Sequence, residues 1–160
     1  MSSSALSEHF SWEEVEKSST AERLGIDNSL PIDLVPVIKK TAVGMELVRS
    51  VLGNKGIHIN SWYRCLALNK ALSSKDTSQH IKGEAVDFVC PEFGTPLEIC
   101  KTLVEHTGYI AYDKLILEHT WVHISFCGNP SDVPHKQVLS LLANGTYAIG
   151  LTDKYGVTYD

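Results

Sequence analysis

Apolar residues recur along the chain with one of two periods, and the switching between them predicts the elements. Val37, Ile38, Ala42, Met45, Val48 and Leu52 return at helical spacing until Gly53 ends the run, which predicts a helix with one face in the core. In "FSWEEV" Ser11 is placed to cap a helix that runs to about Lys17, with Glu14 completing a capping box and Phe10 stapled onto Val15. "GTPLEICKTLVEH" predicts another helix, with Thr95 as cap, Pro96 at the first helical position and Glu98 closing the box. "LALNKAL" predicts a helical turn or two. The period drops to two in "GIHINSW" and from Glu84 to Val89. "DKLILEHTWVHISF" predicts two strands around a tight turn at His119 and Thr120, and "TYAIGL" a further strand near the C-terminus. Strands in mixed order with helices, without regular βαβ alternation, predict an α+β domain: a small, mainly antiparallel sheet with helices packed against it. No repeat, linker or low-complexity tract interrupts it, so a single domain is expected over 1–160.

Strand alternation also sorts side chains by face. Ala85 and Asp87 share one face of their strand, and Val86 and Phe88 the other. If His119 and Thr120 form a two-residue loop, Glu118 lies across from Trp121 and Ile116 across from His123. Parity then gathers Glu118, Trp121, His123 and Ser125 on one face, opposite Leu115, Leu117, Val122, Ile124 and Phe126. His-Thr is a poor type I′ turn, and a longer loop would shift this register. Asp87 on such a strand reads either as a satisfied polar residue at a strand edge or as a ligand. A His, an Asp and a second His leave one tetrahedral position free, the arrangement zinc needs to hold and acidify a water. Seven histidines allow several such combinations by chance, and the shared polar face is what favours His123. Gly83 and Ala85 would let the backbone approach a metal closely.

Bulk properties narrow the classes. A chain of 160 residues buries roughly two thirds of its unfolded surface, so a metal is not required as a folding staple. Hydrophobic residues make up 43% and charged residues 21%, and no apolar run approaches the ~18 residues of a membrane span. The formal charge of -5 argues against nucleic-acid and anionic-membrane partners, which call for a basic patch. The start, "MSSSALSEHFSWEEVEK", has no basic region followed by an apolar one, so no signal peptide and a cytoplasmic monomer are expected. Cys65, Cys90, Cys100 and Cys127 form no C-x-x-C pair and read as four buried free thiols.

The segment "SQHIKGEAVDF" matches the S-x-H-x-x-G-x-A-x-D signature of the zinc D-alanyl-D-alanine carboxypeptidase family, and "TWVHISF" resembles its W-x-H motif. "INSWYRCLALN" is similar to the family's S-G-Y-R segment, with Trp62 where glycine is usual. "LSEHFSWEEVEKSSTAERLGIDN" resembles an N-terminal segment common in phage-encoded members. The resemblance covers Leu6 to about Phe126 and implies a hedgehog/D-Ala-D-Ala peptidase-like fold. It also implies one catalytic zinc on His80, Asp87 and His123, and Arg64 reaching the substrate to hold a carboxylate or polarise the scissile carbonyl. Ser78 would bind substrate or backbone beside the metal, and Trp121 would be a wall for substrate. Many members place the catalytic acid three residues before the last histidine, where this chain has Thr120; Glu118, five before it, is the nearest acid and resembles the arrangement of a subset of relatives. The expected function is hydrolysis of peptide bonds in the stem peptides of bacterial peptidoglycan, of the D-Ala-D-Ala carboxypeptidase or L-Ala-D-Glu endopeptidase type, by a phage or prophage lysis enzyme.

Each assignment has a plainer competitor. Arg64 could be a surface arginine, Glu118 a solvated residue at a strand end, and Trp121 partly core. His119 reads as an exposed turn residue, and His9, His58, His106 and His135 belong to no metal spacing. A different class altogether is a non-catalytic, zinc-stabilised virion or binding module of the same fold.

Overall fold

A computed structural model describes residues 4–159; residues 1–3 and 160, the ends of the expected domain, lie outside it. Helix α1 spans Trp12–Glu16, with both halves of the Ser11/Glu14 capping box formed. Helix α2, Ser19–Leu24, was not expected. Its signals are the cap itself: the Ser18 side chain accepts from the Ala21 N–H, and Gly25 closes the C-terminus at φ +66. A 3-10 turn at Ile32–Leu34 leads into α3, Val35–Val51. Strand β1, His58–Ser61, helix α4, Leu66–Ala71, and strand β2, Ala85–Val89, follow. Helix α5, Pro96–Glu105, carries the expected Thr95/Glu98 box. Strands β3, Lys114–Leu117, β4, Val122–Ser125, β5, Gln137–Leu141, and β6, Tyr147–Ile149, complete the chain.

The strands form one sheet in the order β1-β2-β4-β3-β5-β6, antiparallel throughout except for the parallel β3–β5 pair. This is the α+β fold the periodicities predict. The β3–β4 connection is the two-residue one: Leu117 pairs with Val122, and the Glu118 N–H donates to the Trp121 carbonyl at 3.1 Å. Register follows from that turn.

Val86, Phe88, Leu115, Val122, Ile124 and Phe126 form one buried cluster with Ile38, Ala42, Met45 and Val48 of α3 and Ile99 and Leu103 of α5. Burial of each such side chain contributes about 1.5–3 kcal/mol. Helix α3 comes close enough that a Cβ on Gly44 would lie 2.5 Å from the Phe126 ring. Phe10 and Trp62 meet edge to face at 6.1 Å in the same core. Of the four thiols, all free, only Cys90 and Cys100 are buried; Cys65 and Cys127 are half-buried. Cys65 serves instead as the cap of α4, its Sγ accepting from the Leu68 N–H. No helix among the described residues is long and apolar enough to cross a membrane.

Candidate metal centre and active site

Two adjacent strands and one loop build the site. Asp87 on β2 pairs directly with His123 on β4, which pairs with Ile116 on β3, so these side chains stand in one row on one face. His80 arrives from the turn before β2. That turn is anchored at Gly83, whose carbonyl accepts from the Thr41 hydroxyl of α3 at 2.9 Å and from the Trp62 indole N–H at 3.4 Å. Gly83 has φ +75, and a Cβ there would lie 2.7 Å from Ile38 Cδ1. The glycine is thus needed for a left-handed turn packed on α3.

Among the described residues, His80, Asp87 and His123 form a group whose donor atoms all lie within 4.8 Å of one another, and it could hold a metal ion. His80 Nε2 is 3.2 Å from Asp87 Oδ2, and His123 Nδ1 is 2.9 Å from Asp87 Oδ1. A zinc ion about 2.0–2.1 Å from nitrogen and oxygen donors implies tetrahedral donor separations of roughly 3.3 Å, so these spacings fit. His80 Nδ1 donates to the Trp62 carbonyl at 2.7 Å. This fixes the tautomer, leaving the Nε2 lone pair for a cation, the second-layer contact common at metal-binding histidines. Trp62 therefore matters through its carbonyl; its ring is core rather than pocket wall. Burial alone would push the Asp87 carboxyl up, but the His80 and His123 imidazoles hold it well below the usual carboxylate range. His123 is pushed down by burial against the opposing pull of Asp87. An ionised carboxylate between two imidazoles is a donor set suited to a divalent cation.

Arg64 points into the site. Its Nη2 lies 3.2 Å from Asp87 Oδ2 and its Nε donates to Ser61 Oγ at 3.1 Å, which leaves other N–H groups of the guanidinium for a substrate oxygen. Its backbone is held on both sides by Asn28, a buried residue that sequence reasoning passed over. Asn28 Nδ2 donates to the Tyr63 carbonyl at 3.1 Å, and Asn28 Oδ1 accepts from the Cys65 N–H at 2.8 Å. An asparagine in a loop carries no spacing signal that marks such a role. Ser78 Oγ accepts from the His80 N–H at 3.3 Å, a backbone contact beside the candidate ligands.

Glu118 follows β3 on the same face as His123, one step along the strand, and is only 8% exposed. Burial pushes its carboxyl up to about 7, with His123 opposing and the Asp87 charge adding to the rise. Behind the sheet, burial and the Glu118 charge push the Cys100 thiol up to about 12, so it stays protonated and inert. Buried polar atoms without a partner are uncommon. Among the described residues there are four, and three belong to this region: His80 Nε2, Trp121 Nε1 and Ser125 Oγ. Their clustering marks the face as one adapted to a ligand.

The other histidines stay apart from this group. His9 pairs with Glu46 at 2.7 Å, His135 with Asp113 at 2.6 Å, and His106 donates to the Thr102 carbonyl. His119 is exposed on the turn. With Glu118 it lines a groove of about 620 Å³ whose far side is Thr95–Leu97 and Thr152–Tyr155. One further residue on this face lies in an expected strand but carried no signal of a place near the candidate ligands. Tyr147 on β6 is raised above the usual tyrosine value by burial and then by the charges of Glu118 and Asp87.

The family model described as Peptidase M15 matches residues 8–125, well over half of the chain. The match takes in α1 through β4 and every candidate ligand, together with Arg64 and Glu118; β5 and β6 fall outside it. No curated protein matches the chain.

Proposed function

The chain belongs to the Peptidase M15 family, and from that premise we propose that it is a zinc metallopeptidase hydrolysing peptide bonds in the stem peptides of bacterial peptidoglycan. The observation that carries the proposal is the group of His80, Asp87 and His123 beside a buried Glu118, all within the matched segment. Zinc held by those three side chains would supply a Lewis acid that acidifies water and polarises the scissile carbonyl. Glu118, buried on the same face as His123, is suited to take the proton of the attacking water and to return it to the departing amine: burial raises its carboxyl in the metal-free protein, and a bound dication would favour the ionised form that acts as the base. Arg64 would hold the carbonyl oxygen as negative charge develops there, its orientation set by Asp87 and Ser61. Ser78 would serve the site by fixing the His80 backbone, and Trp121, on the same face as His123 with a buried, unpartnered indole N–H, would form part of the substrate wall. The resemblance of the N-terminal segment to phage-encoded members supports a phage or prophage lysis role.

Zinc-loaded protein incubated with purified peptidoglycan tests this, with mass spectrometry of the released fragments. Release of fragments cut at one stem-peptide bond is expected, and the new termini distinguish D-Ala-D-Ala carboxypeptidase from L-Ala-D-Glu endopeptidase. Zinc binding without any release would favour a non-catalytic module of the same fold.

A further inference from the structure

Side-chain rows can be followed across the sheet past the candidate ligands. The row Asp87, His123, Ile116 continues through the parallel β3–β5 pairing to Leu139 and through the antiparallel β5–β6 pairing to Ile149. One step along the strands, Trp121 and Glu118 pair, the β3–β5 register brings Leu141 beside Glu118, and Leu141 pairs with Tyr147. Residues directly across from one another point to the same face. Ile116, Leu139, Leu141, Tyr147 and Ile149 therefore stand on the face that carries His123 and Glu118. Ile116 is buried, Leu139 and Leu141 are half-buried, and exposure then rises to 50% at Tyr147 and 86% at Ile149. None of the five carries a charge, and the only polar atom among their side chains is the tyrosine hydroxyl.

We propose that these five side chains form a substrate subsite, an apolar shelf that binds about three residues of the peptide on one side of the scissile bond. The inference rests on the peptidase reading and names where its substrate lies. Strands spaced about 4.8 Å apart put β6 roughly 10 Å from β3, the span of about three extended residues at ~3.3 Å each. The occupant is peptide because the shelf is continuous with the rows that hold the candidate ligands and Glu118, and Arg64 closes their other end beside β1. The substrate thus crosses the strands, from Arg64 over the reacting centre to Tyr147. Its alanine methyls and the methylene stems of its longer side chains rest on the shelf with their charged ends in solvent, and a backbone carbonyl accepts from the Tyr147 hydroxyl. Sequence comparison does not reach this shelf beyond Ile116, since the family match ends at residue 125.

The test is a length series of synthetic stem peptides, the shortest cleavable one and the same peptide extended by three residues on either side. Each is assayed with zinc-loaded wild type, with Tyr147→Phe and with the double variant Tyr147→Ala, Ile149→Ser. Wild type should gain about tenfold in kcat/KM from extension on one side, mainly through KM. In the double variant the ratio of long to short should fall toward one, and Tyr147→Phe should lose the part due to the hydroxyl. Both positions are exposed, so folding is not threatened; melting temperature and zinc content check this. As a readout independent of turnover, metal-free wild type should bind the longer product peptide more tightly than the double variant does in calorimetry. A double variant that keeps the full gain, or a wild type that gains nothing from extension on either side, overturns the shelf alone. Zinc-loaded wild type that cleaves no peptide of any length overturns the peptidase reading, and the shelf with it.

Discussion

The two faces of β2, β3 and β4 are built from the same alternating residues and put burial to opposite uses. On one face Val86, Phe88, Leu115, Val122 and Ile124 are fully buried in the core, and each contributes to stability in proportion to the apolar area it removes from water. On the other, Asp87, Glu118 and Ser125 are buried too, and there burial costs free energy because it strips water from charged and polar groups. The second face carries a carboxyl pushed up to about 7 at Glu118 and unpartnered atoms at Trp121 and Ser125. The first face offsets that cost. What suits that face to a ligand is therefore also a local weakness, and substitutions on the two faces should have opposite signatures.

The largest expected effect is loss of the metal. His123→Ala or His80→Ala should abolish zinc binding and with it turnover, because two remaining donors do not make a tight zinc site. Both metal-free variants should still fold, since neither ring is part of the apolar cluster, but at a lowered melting temperature, because His80→Ala leaves the Trp62 carbonyl, and His123→Ala leaves Asp87 Oδ1, without a buried partner. Zinc content after dialysis, read beside a melting curve, checks both halves. Next is Glu118→Gln, which should keep zinc while losing roughly 10²- to 10⁴-fold in turnover, the usual size of a general-base contribution. Full turnover in a zinc-loaded variant would return Glu118 to a passive role. Across the sheet, Phe88→Ala should cost about 3–5 kcal/mol of stability, measured by denaturant unfolding, while zinc still binds whatever fraction remains folded.

How far the sequence alone discloses this contrast depends on the range of the interaction. The two faces were legible because strand alternation is local and because the two-residue turn at His119 and Thr120 fixes the β3–β4 register that sets Ile116 across from His123. Helix α2 was overlooked although Ser18 and Gly25 signal its ends, because six residues show too little periodicity. Strand β5 was overlooked for a stronger reason. "QVLSL" joins the sheet parallel to β3, a pairing between distant segments that no local pattern encodes. Tyr147 was invisible for the same reason, since its place one strand beyond Leu141, on the face of Glu118, exists only once β5 is in position. Backbone roles were equally hidden: the Trp62 carbonyl orients His80, but any residue type has a carbonyl. The packing of Gly83 on α3 was hidden too, because its neighbour Ile38 lies on a helix far away in sequence.

The smallest effect sharpens the comparison most, because it reads the cost of burial on the polar face directly. In the metal-free protein the folded state holds the Glu118 carboxyl near 7, against an ordinary value of 4.5. A carboxyl whose folded pKa is raised favours folding in its protonated form. That contribution is fully present below about pH 4.5 and is lost as the pH rises through about 7. Glu118→Gln does not ionise, so its stability carries no such loss. The difference in unfolding free energy, variant minus wild type, should therefore be flat at low pH, grow between about pH 4.5 and 7, and level off above that, having risen by about 3 kcal/mol in favour of glutamine. Zinc should shrink the difference, since a nearby dication favours the ionised carboxylate and lowers its pKa. Melting curves of both proteins from pH 4 to 8, with and without zinc, measure it. A difference that stays constant across this range in the metal-free proteins would mean that Glu118 is solvated in the folded state, and the contrast between the two faces would then rest on Asp87 and the histidines alone.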